Sequence, residues 1–174
     1  MLDYDAFLKP YAEGKVINTV IEITKGSTAK IEYDRKNCAF YLDRVEPSIF
    51  AKPGNYGFIP NTLDDDGDAL DTLVLADESI PMGVYLKAKV IGVLKFEDDG
   101  EMDHKILCVP EDDRNIANEI NDFGDISPTL IKKIEHHFTH YKDLKKPGST
   151  ISKGWGDATE AHKIIEECIE AWSK

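Results

Sequence analysis

The amino-acid sequence predicts a mainly β, α+β fold in which a closed or partly closed barrel carries α-helices on its outside. Short runs with the pattern of β-strands fill the first two-thirds of the chain, and helical periodicity follows in the last third. The 174 residues contain no repeat, low-complexity tract or Pro/Gly-rich linker. We therefore expect one domain over residues 1–174.

The predicted strands begin with residues 15–24, where apolar side chains fall on both faces for part of the length. Two shorter runs, residues 29–33 and 38–45, are joined by a polar connector that suits a β-hairpin. Further strands are expected at residues 70–75, 84–96 and 104–109. The sequence Asp-Asp-Gly at positions 98–100 indicates a turn between the last two.

The last third of the chain predicts two amphipathic helices. Ser127 and Pro128 form a cap and first-turn pair, and apolar residues then recur on one face as far as Tyr141. The second helix opens at Asp157 with a sequence that resembles a capping box. A third, shorter helix is expected near residues 111–121.

The formal net charge of −12 makes nucleic acids and anionic membranes poor partners, because binding to phosphate backbones relies on a basic surface. No stretch approaches the ~20 apolar residues that cross a bilayer, and the first residues lack the features of a signal peptide. We therefore expect a cytoplasmic protein. Three widely spaced cysteines predict neither a disulfide framework nor a thiolate zinc site.

Residues 64–71, with the sequence DDDGDALD, are the most informative stretch. Carboxylates this dense repel one another unless water or cations neutralise them. Gly67 allows a sharp bend that would bring Asp66 and Asp68 together. Asp71 falls at the start of an apolar run, where a buried carboxylate needs a partner. The alternative interpretation of this stretch is a solvated acidic turn.

An EF-hand loop is excluded at this position. Aligning Gly67 with the invariant glycine of that loop places Thr62 and Leu73 at ligand positions that should be acidic. A predicted strand also follows where an EF-hand requires a helix.

A second acidic cluster, Asp98, Asp99, Glu101 and Asp103, precedes Lys105. Alone it is typical of an exposed hairpin tip. Together with the first cluster it could complete a site for several metal ions, with oxygen ligands that suit Mg²⁺ or Mn²⁺. An acidic site of this kind accepts an anionic substrate only when divalent cations stand between the two.

Phosphoryl transfer also needs cations and hydrogen-bond donors around the phosphates. Lys30 and Glu32 share one face of a predicted strand, Arg44 closes the next strand, and Tyr141 and Lys142 end the first amphipathic helix. Taken individually, the charged residues are more typical of surface positions and Tyr141 is more typical of a core residue. Spacing alone leaves these alternatives open.

Over nearly its whole length, the sequence resembles a known family, the soluble family I inorganic pyrophosphatases of the short bacterial type. Residues 66–71, DGDALD, are similar to the family signature D-[S/G]-D-[P/A]-x-D. Other matching motifs, in the order of the family, are VIEI at 20–23, KIE at 30–32, LDR at 42–44, NYGFIP at 55–60, GVL at 92–94 and HYKDL at 140–144.

The resemblance implies an OB-like five-stranded β-barrel with flanking C-terminal helices, a hexameric assembly, and Mg²⁺-dependent hydrolysis of pyrophosphate to two orthophosphates. Several Mg²⁺ ions would bind in each site, with Mn²⁺ as a substitute. Asp68 would be the general base that takes a proton from the water activated by the metals. The implied metal-binding residues are Asp66, Asp71, Asp98, Asp103, Glu22 and Glu32. The implied phosphate-binding residues are Lys30, Arg44, Tyr56, Lys105, Tyr141 and Lys142.

Two departures from the family pattern stand out. Lys52 occupies a position where family members usually carry a tyrosine, and its side chain could contact phosphate or point to solvent. We expect it to point to solvent, so that Lys52→Tyr leaves activity within an order of magnitude. The segment 145–152 also looks unlike common family members, which affects substrate affinity more than the reaction.

Two other functions remain as alternatives. A metal-dependent nuclease or nucleotide phosphohydrolase could use the same carboxylates, but the chain shows neither a base-recognition pocket nor a basic track. An oligonucleotide- or partner-binding OB module is disfavoured by the negative charge and by the scarcity of interleaved aromatic and basic residues.

Overall fold

The computed structural model describes residues 2–115 and 119–174. Its strands are β1 (Tyr11–Glu13), β2 (Val16–Ile23), β3 (Ala29–Asp34), β4 (Ala39–Val45), β5 (Asn55–Phe58), β6 (Asp71–Val74), β7 (Tyr85–Asp98), β8 (Glu101–Met102), β9 (Lys105–Pro110) and β10 (Thr150–Asp157). Its helices are α1 (Tyr4–Phe7), α2 (Pro128–His140) and α3 (Ala158–Trp172), with short 3-10 turns at Ser48–Phe50 and Phe123–Asp125. No helix in these two ranges is long and apolar enough to span a bilayer.

Five strands form a closed ring in the order β2-β5-β6-β9-β7, and pairing of β7 with β2 completes it. The neighbours are antiparallel except β6 and β9, which are parallel. The long strand β7 makes closure possible, because it pairs with β2 at its start, with β9 along its middle and with β10 at its end. Closure pairs each ring strand on both sides, and β1 and β10 extend the sheet from β2 and β7. The predicted OB-like five-stranded barrel is confirmed.

The barrel strands bury side chains on both faces, which explains their nearly continuous apolar runs. Leu73 and Leu107 belong to a core cluster that includes residues of α2, whereas their neighbours Val74 and Ile106 belong to a cluster that includes residues of α3. The two predicted C-terminal helices therefore cover different parts of the barrel. Burial of these faces supplies the main driving force for the fold.

The strands β3 and β4 form a separate two-stranded sheet, as the predicted hairpin required. Its turn is fixed by Arg35, which pairs with Asp5 at 3.1 Å and donates to the Thr62 carbonyl. The Arg35 guanidinium also lies 4.4 Å from the centre of the Trp172 ring. These contacts hold the hairpin against the barrel, with Lys30, Glu32 and Arg44 facing the space between them.

Some sequence predictions need correction. The helix expected near residues 111–121 falls partly on residues 116–118, which lie outside the described residues, and the flanking described residues form turns or irregular chain. Strand β10 was not predicted, because a register shift between Ser152 and Trp155 and the positive φ of Gly154 interrupt its alternation. It includes the end of the unusual 145–152 segment. At the predicted cap of α2, the Ser127 side chain makes no capping hydrogen bond, whereas Asp157 accepts one from the Glu160 N–H.

Gly57 in β5 generates a stability prediction. A Cβ at this position would lie 1.9 Å from the Val20 carbonyl oxygen of the neighbouring strand. Because that oxygen is backbone and cannot rotate away, Gly57→Ala should cost at least the ~3 kcal/mol at the upper end of overpacking effects. Thermal unfolding should show a correspondingly lower midpoint.

Gly26→Ala is the comparison variant. A Cβ there meets no atom within 4 Å, but the φ of +82° is left-handed, so only backbone strain of about 1–2 kcal/mol is expected. Equal destabilisation by the two substitutions would contradict the close-approach explanation for Gly57.

Candidate active site

A cavity of about 600 Å³ opens where the barrel, the β3–β4 hairpin and the end of α2 meet. All of the site residues predicted from the sequence line it. They are Glu22, Lys30, Glu32, Arg44, Tyr56, Asp66, Asp68, Asp71, Asp98, Asp103, Lys105, Tyr141 and Lys142. Residues from seven separate segments of the chain thus converge on one space, which spacing in the sequence could not show.

The floor of the cavity is built on the parallel pair of β6 and β9, in which Asp71 is the register partner of Lys105. The Lys105 ammonium lies 2.5 Å from the Asp71 carboxylate and also forms an ion pair with Asp103. The Tyr56 hydroxyl donates a further hydrogen bond to Asp71. Asp71 therefore has the partners that its position requires. Burial, with Asp103 adding to it, still raises the pKa of Asp71 above its usual range.

The acidic loop turns at Gly67, whose φ of +89° lies in the left-handed region. The turn brings its flanking acids together, and the Asp68 N–H donates to the Asp66 carboxylate at 3.0 Å. Burial, with the charges of Asp103 and Asp68 adding to it, raises the pKa of Asp66 to about 6. Burial and the charge of Glu32 also raise the pKa of Asp68.

The acidic loop is tied to the turn that precedes β9. Asp64 is buried at the base of the loop and accepts hydrogen bonds from the His104 N–H at 2.8 Å and from its Nδ1 at 3.1 Å. His104 lies next to Asp103 in the chain. The contact therefore fixes the positions of the two acidic segments relative to each other. Sequence analysis did not single out this pair, although Asp64 belongs to the acidic run.

The hairpin side of the cavity is also organised by ion pairs and hydrogen bonds. Glu22 accepts a hydrogen bond from the Tyr33 N–H at 2.7 Å, and burial, with Asp71 adding to it, raises the pKa of Glu22 to about 8. Lys30 pairs with Glu32. Arg44 pairs with Glu46 at 2.5 Å, a supporting residue that sequence analysis missed.

The end of α2 closes the opposite side. Tyr141 donates a hydrogen bond to Asp98 at 2.9 Å, and Lys142 pairs with the same carboxylate oxygen at 2.5 Å. The other oxygen of Asp98, Oδ1, is buried and has no hydrogen-bond partner in residues 2–115 and 119–174. A buried carboxylate oxygen without a donor needs a cation or water.

The donor set fits hard divalent cations. It consists of carboxylate oxygens, several with a pKa raised by burial, and it includes the unpartnered Asp98 oxygen. In the part of the chain that the structure describes, no three acidic, His or Cys side chains are already grouped closely enough to hold an ion. Lys105 lies between the carboxylates of Asp71 and Asp103, because its ammonium group pairs with both.

Lys52 corrects the sequence prediction. It was expected to point to solvent, but it is only 9% exposed and lines the cavity. Its backbone N–H donates to the Ser27 carbonyl, its carbonyl accepts from Gly26, and its Nζ lies 4.3 Å from the centre of the Tyr56 ring. These backbone contacts just before β5 fix the side chain inward. The family resemblance was the only signal that could have drawn attention to this residue.

Comparison with known proteins decides the family. A family model described as inorganic pyrophosphatase matches residues 19–173. The chain belongs to the inorganic pyrophosphatase family. The inorganic pyrophosphatase of Neisseria meningitidis serogroup B is 57% identical over 175 residues, covering 100% of this chain and 99% of that protein. That of Haemophilus influenzae is 55% identical, with the same two coverages.

Solved structures agree. The crystal structure of an inorganic pyrophosphatase from Neisseria gonorrhoeae has a TM-score of 0.96 and 56% identity, covering 99% of this chain and 100% of that chain. The structure of inorganic pyrophosphatase from Thermus thermophilus has a TM-score of 0.89 and 36% identity, covering 96% and 97%.

Inorganic pyrophosphatases hydrolyse inorganic pyrophosphate to two orthophosphates, generally with a metal, and this chain is a hydrolase of that class. The comparisons favour this function over the nuclease and binding-module alternatives. The predicted family, fold and reaction are therefore confirmed.

Glu22 generates a prediction for stability in the absence of metal. Between its usual pKa of 4.5 and its raised pKa of about 8, the unfolded chain has lost this proton while the folded protein keeps it. The unfolded state then binds fewer protons, so the free energy of unfolding falls as pH rises through this window. With chelator present, the unfolding midpoint should drop by several degrees between about pH 5 and pH 8, since ~1 kcal/mol corresponds to ~2–4 °C.

Glu22→Gln should flatten this pH slope, although Asp66 and Asp71 keep part of it. Glu170→Gln, at an exposed position on α3, is the matched control and should leave the slope unchanged. Added Mg²⁺ should restore the midpoint at the alkaline end by neutralising the carboxylates. A full slope in Glu22→Gln would contradict the assignment.

Proposed function

We propose that pyrophosphate hydrolysis takes place in this cavity, by attack of water on phosphorus with Asp68 as the general base. The observation that carries the proposal is the convergence of carboxylates and basic side chains on one space of about 600 Å³. Carboxylates alone would repel an anionic substrate, and basic residues alone would bind it without activating water. A cavity with both suits metal-assisted phosphoryl transfer.

Several Mg²⁺ ions, with Mn²⁺ as a substitute, are the cofactor that we propose. When bound, such ions lower the pKa of water and offset the charge on phosphate oxygens. Asp66, Asp71 and Asp103 would hold the tightest ion, since all three line the cavity near Lys105 and burial raises the pKa of the first two. Asp98, Glu22 and Glu32 would hold or orient further ions.

Asp68 suits the role of general base. Within the described residues its carboxylate forms no ion pair and accepts no hydrogen bond, so it is free to accept a proton from water. Partial desolvation in the cavity and the nearby charge of Glu32 raise its pKa above the usual range, which favours the role of a general base. Asp68 follows Gly67, is exposed and lines the cavity, so water reaches its carboxylate.

The phosphate groups would be bound by Lys30, Arg44, Tyr56, Lys105, Tyr141 and Lys142. Each basic residue among them already pairs with a carboxylate of the cavity or its rim. These ion pairs hold the side chains in place before a substrate arrives, which reduces the entropy that binding must overcome. The positive groups would orient the anhydride and stabilise charge on the leaving phosphate.

Of the remaining features of the proposal, only the assembly rests on family resemblance. We expect a single domain over residues 1–174, a cytoplasmic location and a homo-hexamer. Exposed apolar side chains such as Ile49, 74% exposed, are consistent with a surface that packs against another copy. Sedimentation velocity on the purified chain measures the assembly directly.

The reaction is tested by measuring orthophosphate release from pyrophosphate with and without Mg²⁺, beside ATP and a simple phosphate monoester. Rapid release from pyrophosphate alone, abolished by chelator, is the expected result. No release from pyrophosphate by the folded protein with metal present would overturn the proposed function.

Asp68→Asn should lower kcat by roughly 10²–10⁴-fold, the range for loss of a general base. Asp65→Asn is the matched control, because Asp65 lies in the same loop and is exposed like Asp68 but does not line the cavity. It should keep nearly full turnover. Comparable losses in the two variants would show that disruption of the loop, not loss of a base, explains the effect.

A further inference from the structure

Lys52 is a buried cation that the proposed mechanism does not yet use. Its side chain lines the active-site cavity although the residue is only 9% exposed. A buried ammonium group loses its hydration, which costs several kcal/mol unless another group compensates. The ion pairs, rings and charges near Lys52 therefore indicate which kind of group would compensate its ammonium group.

The other basic residues that line the cavity have carboxylate partners or solvent. Ion pairs with acidic side chains are made by Lys30, Arg35, Arg44, Lys105 and Lys142. Lys36 is exposed. Within residues 2–115 and 119–174, Lys52 alone among these lining residues is both buried and without an ion pair.

Aromatic rings compensate Lys52 only in part. Its Nζ lies 4.3 Å from the centre of the Tyr56 ring, 5.4 Å from that of Phe138 and 5.5 Å from that of Tyr141. Such contacts contribute about 0.5–2 kcal/mol each. Within the described residues, no protein group accepts a hydrogen bond from the three N–H donors of the ammonium group, which face the cavity.

The charged groups around Lys52 include like charges as well as opposing ones. Lys105 faces the same rings of Tyr56 and Phe138, but Asp71 and Asp103 already neutralise it. Lys30 acts on Lys52 as a further like charge, and Asp71 and Glu46 are the opposing charges near it. Burial, with Lys105 adding to it, lowers the pKa of Lys52 to about 8, so the charged form predominates at neutral pH.

We propose that Lys52 is a further substrate-binding residue, whose ammonium group binds a phosphate oxygen of pyrophosphate or of the orthophosphate product. The inference rests on the proposed function of the cavity and extends it to a residue that the family pattern leaves unassigned. The anion supplies the acceptors that the ammonium group lacks. The hydroxyls of Tyr56 and Tyr141 bind Asp71 and Asp98, whereas Lys52 contacts the rings of the two tyrosines, so its charge stays available for phosphate.

The test compares Lys52→Met, which removes the charge and keeps the length, with wild type. At saturating Mg²⁺, calorimetry measures the dissociation constants of orthophosphate and of methylenediphosphonate, a pyrophosphate analogue that cannot be hydrolysed. A lost hydrogen bond from a charged group should weaken at least one of them by roughly 10- to 100-fold. If analogue binding weakens, the KM for pyrophosphate should rise in parallel. If only orthophosphate binding weakens, Lys52 binds the product and not the substrate.

Mg²⁺ affinity without any anion separates binding from structure. Removing a cation from an acidic cavity should leave that affinity unchanged or tighter, and thermal stability unchanged or higher. Lys163→Met, the same substitution at an exposed site on α3, is the matched control and should leave every dissociation constant unchanged. Lys52→Gln repeats the measurement with a polar neutral side chain in case the methionine variant folds poorly.

Unchanged anion affinities in either folded variant would overturn the inference, and so would a parallel loss of Mg²⁺ affinity, which would indicate a structural role. Both results are compatible with normal pyrophosphate hydrolysis by wild type. Failure of wild type to release orthophosphate would instead overturn the proposed function, and the binding measurements would still show whether Lys52 contacts an anion.

Discussion

The active site depends on the parallel pairing of β6 with β9. Parallel strands begin at the same edge of a sheet, so the segment before β6 and the segment before β9 meet there. The first is the acidic loop and the second is the turn that ends in Asp103. The register pairs Asp71 with Lys105, which places a cation between carboxylates from two distant parts of the chain. Without this pairing the acids would form two unrelated acidic turns.

Closure of the barrel makes that parallel pair possible. Strand β7 reaches from β2 to β10 and lies beside β9 along its middle, so β6 and β9 become neighbours inside a ring. The apolar residues of both strands then bury on two faces, one against the cluster of α2 and one against that of α3. Hydrophobic burial thus supplies the free energy that holds repelling carboxylates together.

The hairpin β3–β4 contributes the opposite wall without being part of the barrel. Its own pairing fixes which side chains share a face, and Arg35 anchors its turn on Asp5 and the Trp172 ring. The hairpin presents Lys30 and Arg44 to the cavity that the acids of the barrel also line. A chain with a net charge of −12 can thereby present basic groups to an anionic substrate.

Sequence analysis predicted the strands and helices with strong periodicity, and family resemblance supplied the residues that line the cavity. It failed where local signals are weak. Strand β10 was missed because its alternation of side chains is interrupted. The hydrogen bond of Asp64 with His104 was missed because no local pattern connects the two residues. The orientation of the Lys52 side chain could not be predicted either, because the sequence does not indicate whether a lysine before a strand points inward. Backbone contacts with Gly26 and Ser27, which only tertiary structure creates, decide its direction.

Lys52 differs from the other cations of the cavity in the groups that compensate its charge. Among the described residues, the other partly or fully buried cations that line the cavity pair with carboxylates. These ion pairs order the site, because opposite charges attract more strongly in a medium of low dielectric constant. Lys52 packs on aromatic rings instead. A ring face attracts the positive charge but, unlike a carboxylate, does not occupy the N–H donors, so these stay available for hydrogen bonds. The paired cations therefore hold the acids in place besides contacting phosphate, whereas Lys52, with no carboxylate partner among the described residues, offers its charge to phosphate alone.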